Sequence, residues 1–187
     1  MKKCLAVLAL MALAAPAAAQ QPPAAAQPPA PTDVATHLKN QHNTIKRNLS
    51  GAAEKMAEAD YSFKPQGVAA EVRSYGQFIV HLINANNSYC SRAKGEAAKP
   101  AMDEKGTFAK ADLVKALNDA LAYCDSAYGA MTAANATEMM SVQGRGGTVQ
   151  IARINPLISN LGHNWEHYGN LVTYLRAKGL VPPSSER

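Results

Sequence analysis

Apolar residues recur every three or four positions in four long segments of the chain, a spacing that places side chains on one face of an α-helix. The segments run from Asp33 to about Met56, from Glu71 to about Lys94, from Leu113 to Met131, and from about Pro156 to Lys178. No segment shows the sustained alternation of polar and apolar residues that is typical of a strand. The apolar stripes consist, in chain order, of Val34, Leu38, Ile45, Leu49, Ala52 and Met56, then Val72, Tyr75, Ile79, Leu82, Asn86, Tyr89 and Ala93, then Leu113, Leu117, Leu121, Cys124, Tyr128 and Met131, then Leu157, Leu161, Trp165, Tyr168, Val172 and Leu175.

Four helices of this length without a competing sheet predict an all-α domain, an antiparallel four-helix bundle over residues 32–183 followed by a short tail at 184–187. We allow for one long connection between helices, which would bring the helix pairs together in such a bundle. The pattern predicts a loop over 135–147. Asn155 and Pro156 either cap and open the last helix, or Pro156 kinks a helix that begins near Thr148.

The first 31 residues are predicted to form a signal peptide and a linker. Two lysines, an apolar run over 5–15 and three alanines at 17–19 are typical of a secretory signal peptide over residues 1–19, cleaved before Gln20. The apolar run is too short to span a bilayer, so no membrane span is expected after cleavage. Residues 20–31, made of Pro, Ala and Gln, predict a flexible linker. We therefore expect a periplasmic or secreted protein.

Charge and composition exclude one class of partner. The formal net charge of +5 falls to +3 when Lys2 and Lys3 leave with the signal peptide. The remaining basic residues are scattered and are not interleaved with aromatic residues, so we expect no nucleic-acid partner. The glycine-rich stretch 144–147 lacks the Lys-Ser/Thr of a phosphate-binding loop.

Two histidines, His163 and His167, lie four residues apart in the last predicted helix. This spacing places both imidazoles on one side of the helix, one turn apart. One further protein ligand would complete a site for a transition metal and leave a coordination position open. The spacing alone also fits two surface or packing histidines, because the pattern is short.

The mature chain contains several candidates for the third ligand. His42 lies on the apolar stripe of the first helix, where a histidine is either a hydrogen-bonded core residue or a residue that approaches the site. His37 lies off the stripe and is expected to be solvated. His81 lies at the shoulder of the second stripe, as His163 and His167 lie beside theirs. Periodicity does not decide whether these three meet.

Four stretches of the chain form recognisable motifs, namely Glu-Val-Arg-Ser-Tyr-Gly-Gln-Phe-Ile-Val-His at 71–81, His-Asn-Trp-Glu-His-Tyr-Gly-Asn-Leu-Val-Thr-Tyr-Leu-Arg at 163–176, Gly-Leu-Val-Pro-Pro at 179–183 and Tyr-Ser-Phe-Lys-Pro at 61–65. Together they resemble the DinB-like family of four-helix metalloproteins. The resemblance covers essentially the whole mature domain, with the motifs in the family's order. It implies a metal site made of His81, His163 and His167.

Three neutral imidazoles with an open position favour Zn²⁺ or Ni²⁺, with Fe²⁺ or Mn²⁺ as alternatives. Glu166 points about 100° away from its neighbour on a helix and is expected at the surface. Its place just before the second histidine differs from the order found in zincin proteases. Asn84, Asn160 and Tyr174 are candidates to orient the imidazoles or a metal-bound water.

Cys90 and Cys124 remain after Cys4 leaves with the signal peptide. In an oxidising compartment they would form a disulfide between the second and third helices. A stagger of about 15 Å counts against the bond unless the connecting loop offsets the helices. The alternative is two buried thiols.

Two functions remain open. The first is a metal-dependent hydrolase or transferase acting on an unknown small-molecule substrate. Relatives of the fold are thiol-dependent transferases or isomerases, but export argues against a cytosolic thiol cofactor. The second is a non-catalytic metal-binding or interaction protein of the cell envelope. A homodimer is compatible with either function.

Overall fold

The computed structural model describes residues 33–144 and 146–186. The predicted signal peptide and linker, residues 1–19 and 20–31, lie outside this part of the chain. The described part of the chain contains four α-helices, namely α1 (Val34–Lys55), α2 (Tyr75–Lys94), α3 (Lys110–Ala130) and α4 (Asn155–Ala177), and two strands, β1 (Met139–Gly144) and β2 (Gly147–Ala152). Short 3₁₀ turns span Glu58–Asp60 and Pro183–Ser185. In this part of the chain no helix combines the length and the apolar character needed to cross a membrane.

Local signals in the sequence define where the helices begin and end. The Asp33 carboxylate accepts hydrogen bonds from the first backbone N–H groups of α1, and Ser74 and Gln77 form a capping box at the start of α2. Gly95 ends α2 in the left-handed conformation, with φ of 70°. Helix α4 begins at Asn155 with Pro156 in its first turn, so the alternative of a kinked helix that begins near Thr148 is wrong.

The four helices form a bundle in which two neighbouring pairs are antiparallel and two are parallel. Helices α2 and α3 run in the same direction, since Leu113 near the start of α3 lies beside Gly76 at the start of α2. Helix α3 runs antiparallel to α1, and α4 runs antiparallel to α2, so α1 and α4 are also parallel. The four-helix bundle predicted from the sequence is present, but only two of its four neighbouring pairs are antiparallel, and the long connection that the prediction allowed for makes the other two parallel.

The reason is the segment 95–109, which connects α2 to α3. It runs back along α2, and Met102 in its middle is hydrogen-bonded to Asn84. The chain therefore re-enters the bundle near the start of α2 and α3 repeats its direction. The same return removes the predicted stagger between Cys90 and Cys124, and the two residues form a disulfide, as predicted from the sequence.

Apolar side chains from all four helices fill the interior in two clusters separated by buried polar residues. The larger cluster lies at the end where α2 and α3 begin, and the smaller cluster surrounds the disulfide. Asn86, Asn160 and Asn164 are fully buried between α2 and α4 and hydrogen-bond to one another. Because their amides satisfy each other, three polar side chains can lie inside the bundle.

A β-hairpin replaces much of the loop predicted over 135–147. Strands β1 and β2 pair in antiparallel register from Met139 opposite Ala152 to Gly144 opposite Gly147. One face of the hairpin carries Met140, Val142, Val149 and Ile151, and all of these except Val149 are partly buried, whereas the other face is mostly exposed. Polar and apolar residues do alternate in both strands, but each run is short and adjoins the glycine-rich stretch 144–147, which favoured a loop.

Candidate metal centre

Three imidazoles converge in the groove between the antiparallel helices α2 and α4. His81 comes from α2, and His163 and His167 come from successive turns of α4. The Nε2 atom of His163 lies 3.1 Å from Nε2 of His81 and 3.2 Å from Nε2 of His167. All three ligand nitrogens lie within 4.8 Å of one another. The three residues implied by the family resemblance are thus brought together.

The spacing of these nitrogens fits a shared transition-metal ion. Two nitrogens bound to zinc at about 2.0–2.1 Å in tetrahedral geometry lie about 3.3 Å apart. Both measured separations from His163 Nε2 are close to this value. A neutral imidazole has one lone-pair nitrogen, and such nitrogens are common ligands of divalent transition metals. The residues present therefore fit a divalent metal.

Groups outside the trio hold two of the rings by their other nitrogens. Nδ1–H of His81 donates to Oε1 of Glu104 at 2.7 Å, and the side-chain amide of Asn170 lies 3.1 Å from Nδ1 of His167. Glu104 also accepts from the Arg73 guanidinium at 2.9 Å. On His81 the proton therefore lies on Nδ1 and the lone pair on Nε2, the nitrogen that faces the other rings.

The electrostatics of the site keep two rings in the form that binds metals. Burial lowers the pKa of His163 to about 4, with a further contribution from the neighbouring His167 and His81. Burial and the nearby His81 also lower the pKa of His167. Burial alone would raise the pKa of Glu104, but its hydrogen bonds with His81 and Arg73 bring that pKa below the ordinary value. At neutral pH, His163 and His167 are therefore uncharged and Glu104 is a carboxylate.

The trio is partly open to solvent. The His81 side chain is 21% exposed, whereas His167 is 8% exposed and contacts the ring of Phe78 at a centroid distance of 5.6 Å. A surface cavity of about 520 Å³ lies next to Glu104 and Arg73, the outer partners of His81, and the three histidines are not among its lining residues.

The three residues predicted to orient the imidazoles do not contact them. Asn84 bonds the backbone of Met102, and the Tyr174 hydroxyl donates to the backbone oxygen of Arg73. Asn160 belongs to the buried amide network and accepts from a tyrosine hydroxyl. Each satisfies its polar atoms elsewhere, so this prediction is wrong for direct contacts.

The other candidate residues lie away from the trio. His42 is buried, donates from Nε2–H to Oδ1 of Asp125 at 3.0 Å, and stacks on Tyr128 with ring centroids 4.1 Å apart. It is therefore a hydrogen-bonded core residue, one of the two alternatives for this position. His37 and Glu166 are exposed, as predicted.

Glu104 and Asn170 are the two site residues that sequence reasoning missed. Asn170 follows His167 by three residues on a helix, a spacing that places both on the same face, so this signal was present in the sequence. Glu104 lies in a polar loop, and no local pattern relates it to His81. Its position depends on the return of the segment 95–109 along α2.

Comparison with known proteins agrees with this architecture. Residues 41–171 match the family model of the DinB superfamily. A DinB-like protein from Bacillus subtilis has a similar fold, with a TM-score of 0.61 and 18% identity over 81% of this chain and 99% of that chain. A conserved protein from Enterococcus faecalis has a TM-score of 0.57 and 12% identity over 78% of this chain and 97% of that one.

A proposed member of the DinB family from Exiguobacterium sibiricum has a TM-score of 0.59 and 18% identity, over 79% of this chain and 93% of that one. At these identities the similarity concerns the fold alone. No protein with a curated description matches the chain.

Proposed function

This chain belongs to the DinB superfamily, and on that premise we propose that it is an exported metal-dependent hydrolase or transferase acting on a small molecule. His81, His163 and His167 are the proposed ligands of a divalent metal. The observation that carries the proposal is the convergence of their Nε2 atoms, at 3.1 and 3.2 Å from the central His163. Zinc and nickel suit this donor set best, and iron and manganese are alternatives.

Such an ion supplies Lewis-acid chemistry, in which it polarises a substrate oxygen or lowers the pKa of a water or thiol that it contacts. Among the protein's own residues, Glu104 holds His81 with its lone pair toward the other two rings. Burial keeps His163 and His167 uncharged at neutral pH, so protons do not compete for these two nitrogens.

The absence of a fourth protein ligand favours catalysis over a purely structural role. Within residues 33–144 and 146–186, the group contains three histidines and no further Cys, His, Asp or Glu. Structural zinc sites are usually closed by four protein ligands, whereas catalytic sites keep a position open. The partial exposure of His81 is consistent with an accessible position.

The proposed location is the periplasm or the exterior of the cell. The signal-peptide pattern at residues 1–19 is the main argument. The disulfide between Cys90 and Cys124 supports it, because disulfides persist in oxidising compartments and are rare in the cytosol.

Metal analysis of the purified mature protein tests the site. We expect about one equivalent of metal in the wild type and its loss in His163→Ala and His167→Ala, because two imidazoles bind far more weakly than three. His37→Ala, which removes an exposed histidine of α1, is the matched control and should retain the metal. Equal metal content in all four proteins would refute the proposed ligands.

A substrate screen then separates catalysis from metal storage or structure. The metal-loaded wild type is compared with His163→Ala on ester, amide, phosphoester and thiol substrates. Turnover that is lost in the variant, and that is also absent from the metal-free wild type, supports the proposal that the protein is an enzyme. Metal binding without turnover on any substrate class would favour a non-catalytic metal-binding protein.

A further inference from the structure

The side chain of Asn84 on α2 holds the middle of the connection between α2 and α3 against that helix. The amide of Asn84 donates to the backbone oxygen of Met102 at 2.9 Å and accepts from the backbone N–H of Met102 at 2.8 Å. Asn84 follows His81 by three residues on α2, so the two side chains lie on neighbouring positions of one helix face. The segment 95–109 is therefore attached within one helical turn of the first proposed metal ligand.

Two residues beyond this attachment, Glu104 reaches His81. Its Oε1 atom accepts from Nδ1–H of His81 at 2.7 Å, and its Oε2 atom accepts from Nε and Nη2 of Arg73 at 3.3 and 2.9 Å. Both carboxylate oxygens are therefore used, one for the imidazole and one for the guanidinium. Arg73 therefore holds the oxygen of the carboxylate that does not bond to His81.

We propose that Glu104 is a positioning residue for the metal centre, placed by the attachment of Met102 to Asn84. The proposal rests on the proposed function in one respect, that the three histidines bind a divalent metal. A carboxylate that accepts from Nδ1–H selects the tautomer of His81 whose lone pair lies on Nε2 and fixes the angle of the ring. Nε2 of His81 is the atom that faces His163.

A merely structural role would have a different signature. The Arg73–Glu104 pair is partly exposed, with side-chain exposures of 37% and 35%, and such pairs contribute little to stability. Loss of Glu104 should therefore change the metal affinity much more than the stability of the metal-free fold. The two quantities can be measured on the same variants.

The affinity for Zn²⁺, measured by competition with a chromophoric chelator, is the first test. Removal of an outer partner of a ligating histidine weakens metal binding by about 10–100-fold, which is the loss expected for Glu104→Ala. Glu104→Gln should lose less, because its amide oxygen still accepts from Nδ1–H but carries no charge. Asp103→Ala is the matched control, since this neighbouring carboxylate bonds the backbone N–H of Lys105 and does not touch His81.

Asn84→Ala tests how Glu104 is placed. Without the amide, Met102 is released, and metal affinity should fall although Asn84 does not contact an imidazole. The double variant Asn84→Ala with Glu104→Ala should be no weaker than Glu104→Ala alone, since both changes remove the same contact. Additive losses would show that Asn84 does not act through Glu104 and would overturn that part of the inference.

The tautomer of His81 is the second readout and does not depend on metal binding. In metal-free wild type, nitrogen NMR of the imidazoles should show the proton of His81 on Nδ1, and Glu104→Ala should shift the population toward Nε2–H. A wild type that binds no zinc would refute the proposed function. A wild type that binds zinc while Glu104→Ala retains its affinity, or Asp103→Ala loses as much, would overturn the role of Glu104. A proton on Nε2 of His81 in the wild type would overturn it as well.

Discussion

The Cα atoms of Cys90 on α2 and Cys124 on α3 lie 5.3 Å apart, and a disulfide joins the two residues. They are separated by 34 positions in the sequence, yet they lie at the same height in the bundle. The return of the segment 95–109 along α2 makes this possible, because it brings α3 into parallel register with its neighbour. The disulfide therefore fixes the relative height of two parallel helices.

Loss of the disulfide should lower the free energy of unfolding. A crosslink that closes a loop of this length stabilises a protein by about 3–4 kcal/mol, mainly through the entropy of the unfolded chain. We expect a loss of this size in the Cys90→Ser, Cys124→Ser double variant, measured by urea denaturation of the mature protein. Reduced wild type should behave like the variant, and equal stability of the oxidised and reduced wild type would contradict the prediction.

Metal should stabilise the folded protein through the three histidines. A ligand that binds the native state alone, at 100 times its dissociation constant, adds about 2.7 kcal/mol to the stability. Zn²⁺ should raise the thermal midpoint of the wild type, and a chelator should reverse the rise. His167→Ala should show no rise, whereas His37→Ala should respond as the wild type does. A similar rise in His167→Ala would indicate binding elsewhere.

The stability of the metal-free protein should fall as the pH is lowered below about 6.5, in part because of His42. Burial lowers the pKa of His42 from its ordinary 6.5, although the bond with Asp125 opposes this effect. Between the unfolded and folded pKa values the unfolded chain binds more protons, so stability decreases with decreasing pH. Between these two pKa values, one such group changes the free energy of unfolding by at most about 1.4 kcal/mol per pH unit.

Denaturation of His42→Gln between pH 7 and pH 5, in the presence of a chelator, tests this prediction. The slope of stability against pH should be smaller than in the wild type, and the slope that remains comes in part from His163 and His167, whose pKa values are also lowered. The control His37→Gln removes an exposed histidine from the same helix and should keep the wild-type slope. The same slope in His42→Gln and in the wild type would contradict the assignment.

The buried amides of α2 and α4 should be costly to disrupt. Asn86 and Asn164 exchange two hydrogen bonds of 2.9 Å, and Asn160 donates a further one to Asn86. Asn86→Ala leaves buried partners unsatisfied, and each such group costs about 1–3 kcal/mol. Asn87→Ala is the control on the next position, because no hydrogen bond to its Oδ1 occurs among residues 33–144 and 146–186. Comparable losses in both variants, measured in urea, would contradict the role of the network.

The same amides explain why the core face of α4 was predicted only in part. Leu157, Tyr168 and Leu175 of the predicted stripe are buried. The apolar stripe put Trp165 in the interior and the histidines beside it. In the structure Trp165 is 36% exposed, whereas Asn160 and Asn164 are fully buried. Periodicity counts apolar residues, and it cannot detect polar side chains that are buried because they satisfy one another across two helices. The three histidines were nevertheless found, because their motifs resemble a known family.

Glu104 shows a different limit of prediction. The four helices and their caps follow from local signals, such as Asp33 and the Ser74 capping box. The route of a polar connection depends on contacts such as that of Met102 with Asn84, which join positions far apart in the sequence. A parallel pair of helices and a carboxylate beside His81 both follow from that route, so neither could be inferred from periodicity.

The disulfide also has a consequence for the chain's resistance to cleavage. The whole segment 95–109 lies between Cys90 and Cys124, and residues 95–101 are exposed. A protease that cuts this segment once leaves two fragments that remain covalently joined. Such nicked protein would migrate as one band in electrophoresis without reductant and as two bands with it.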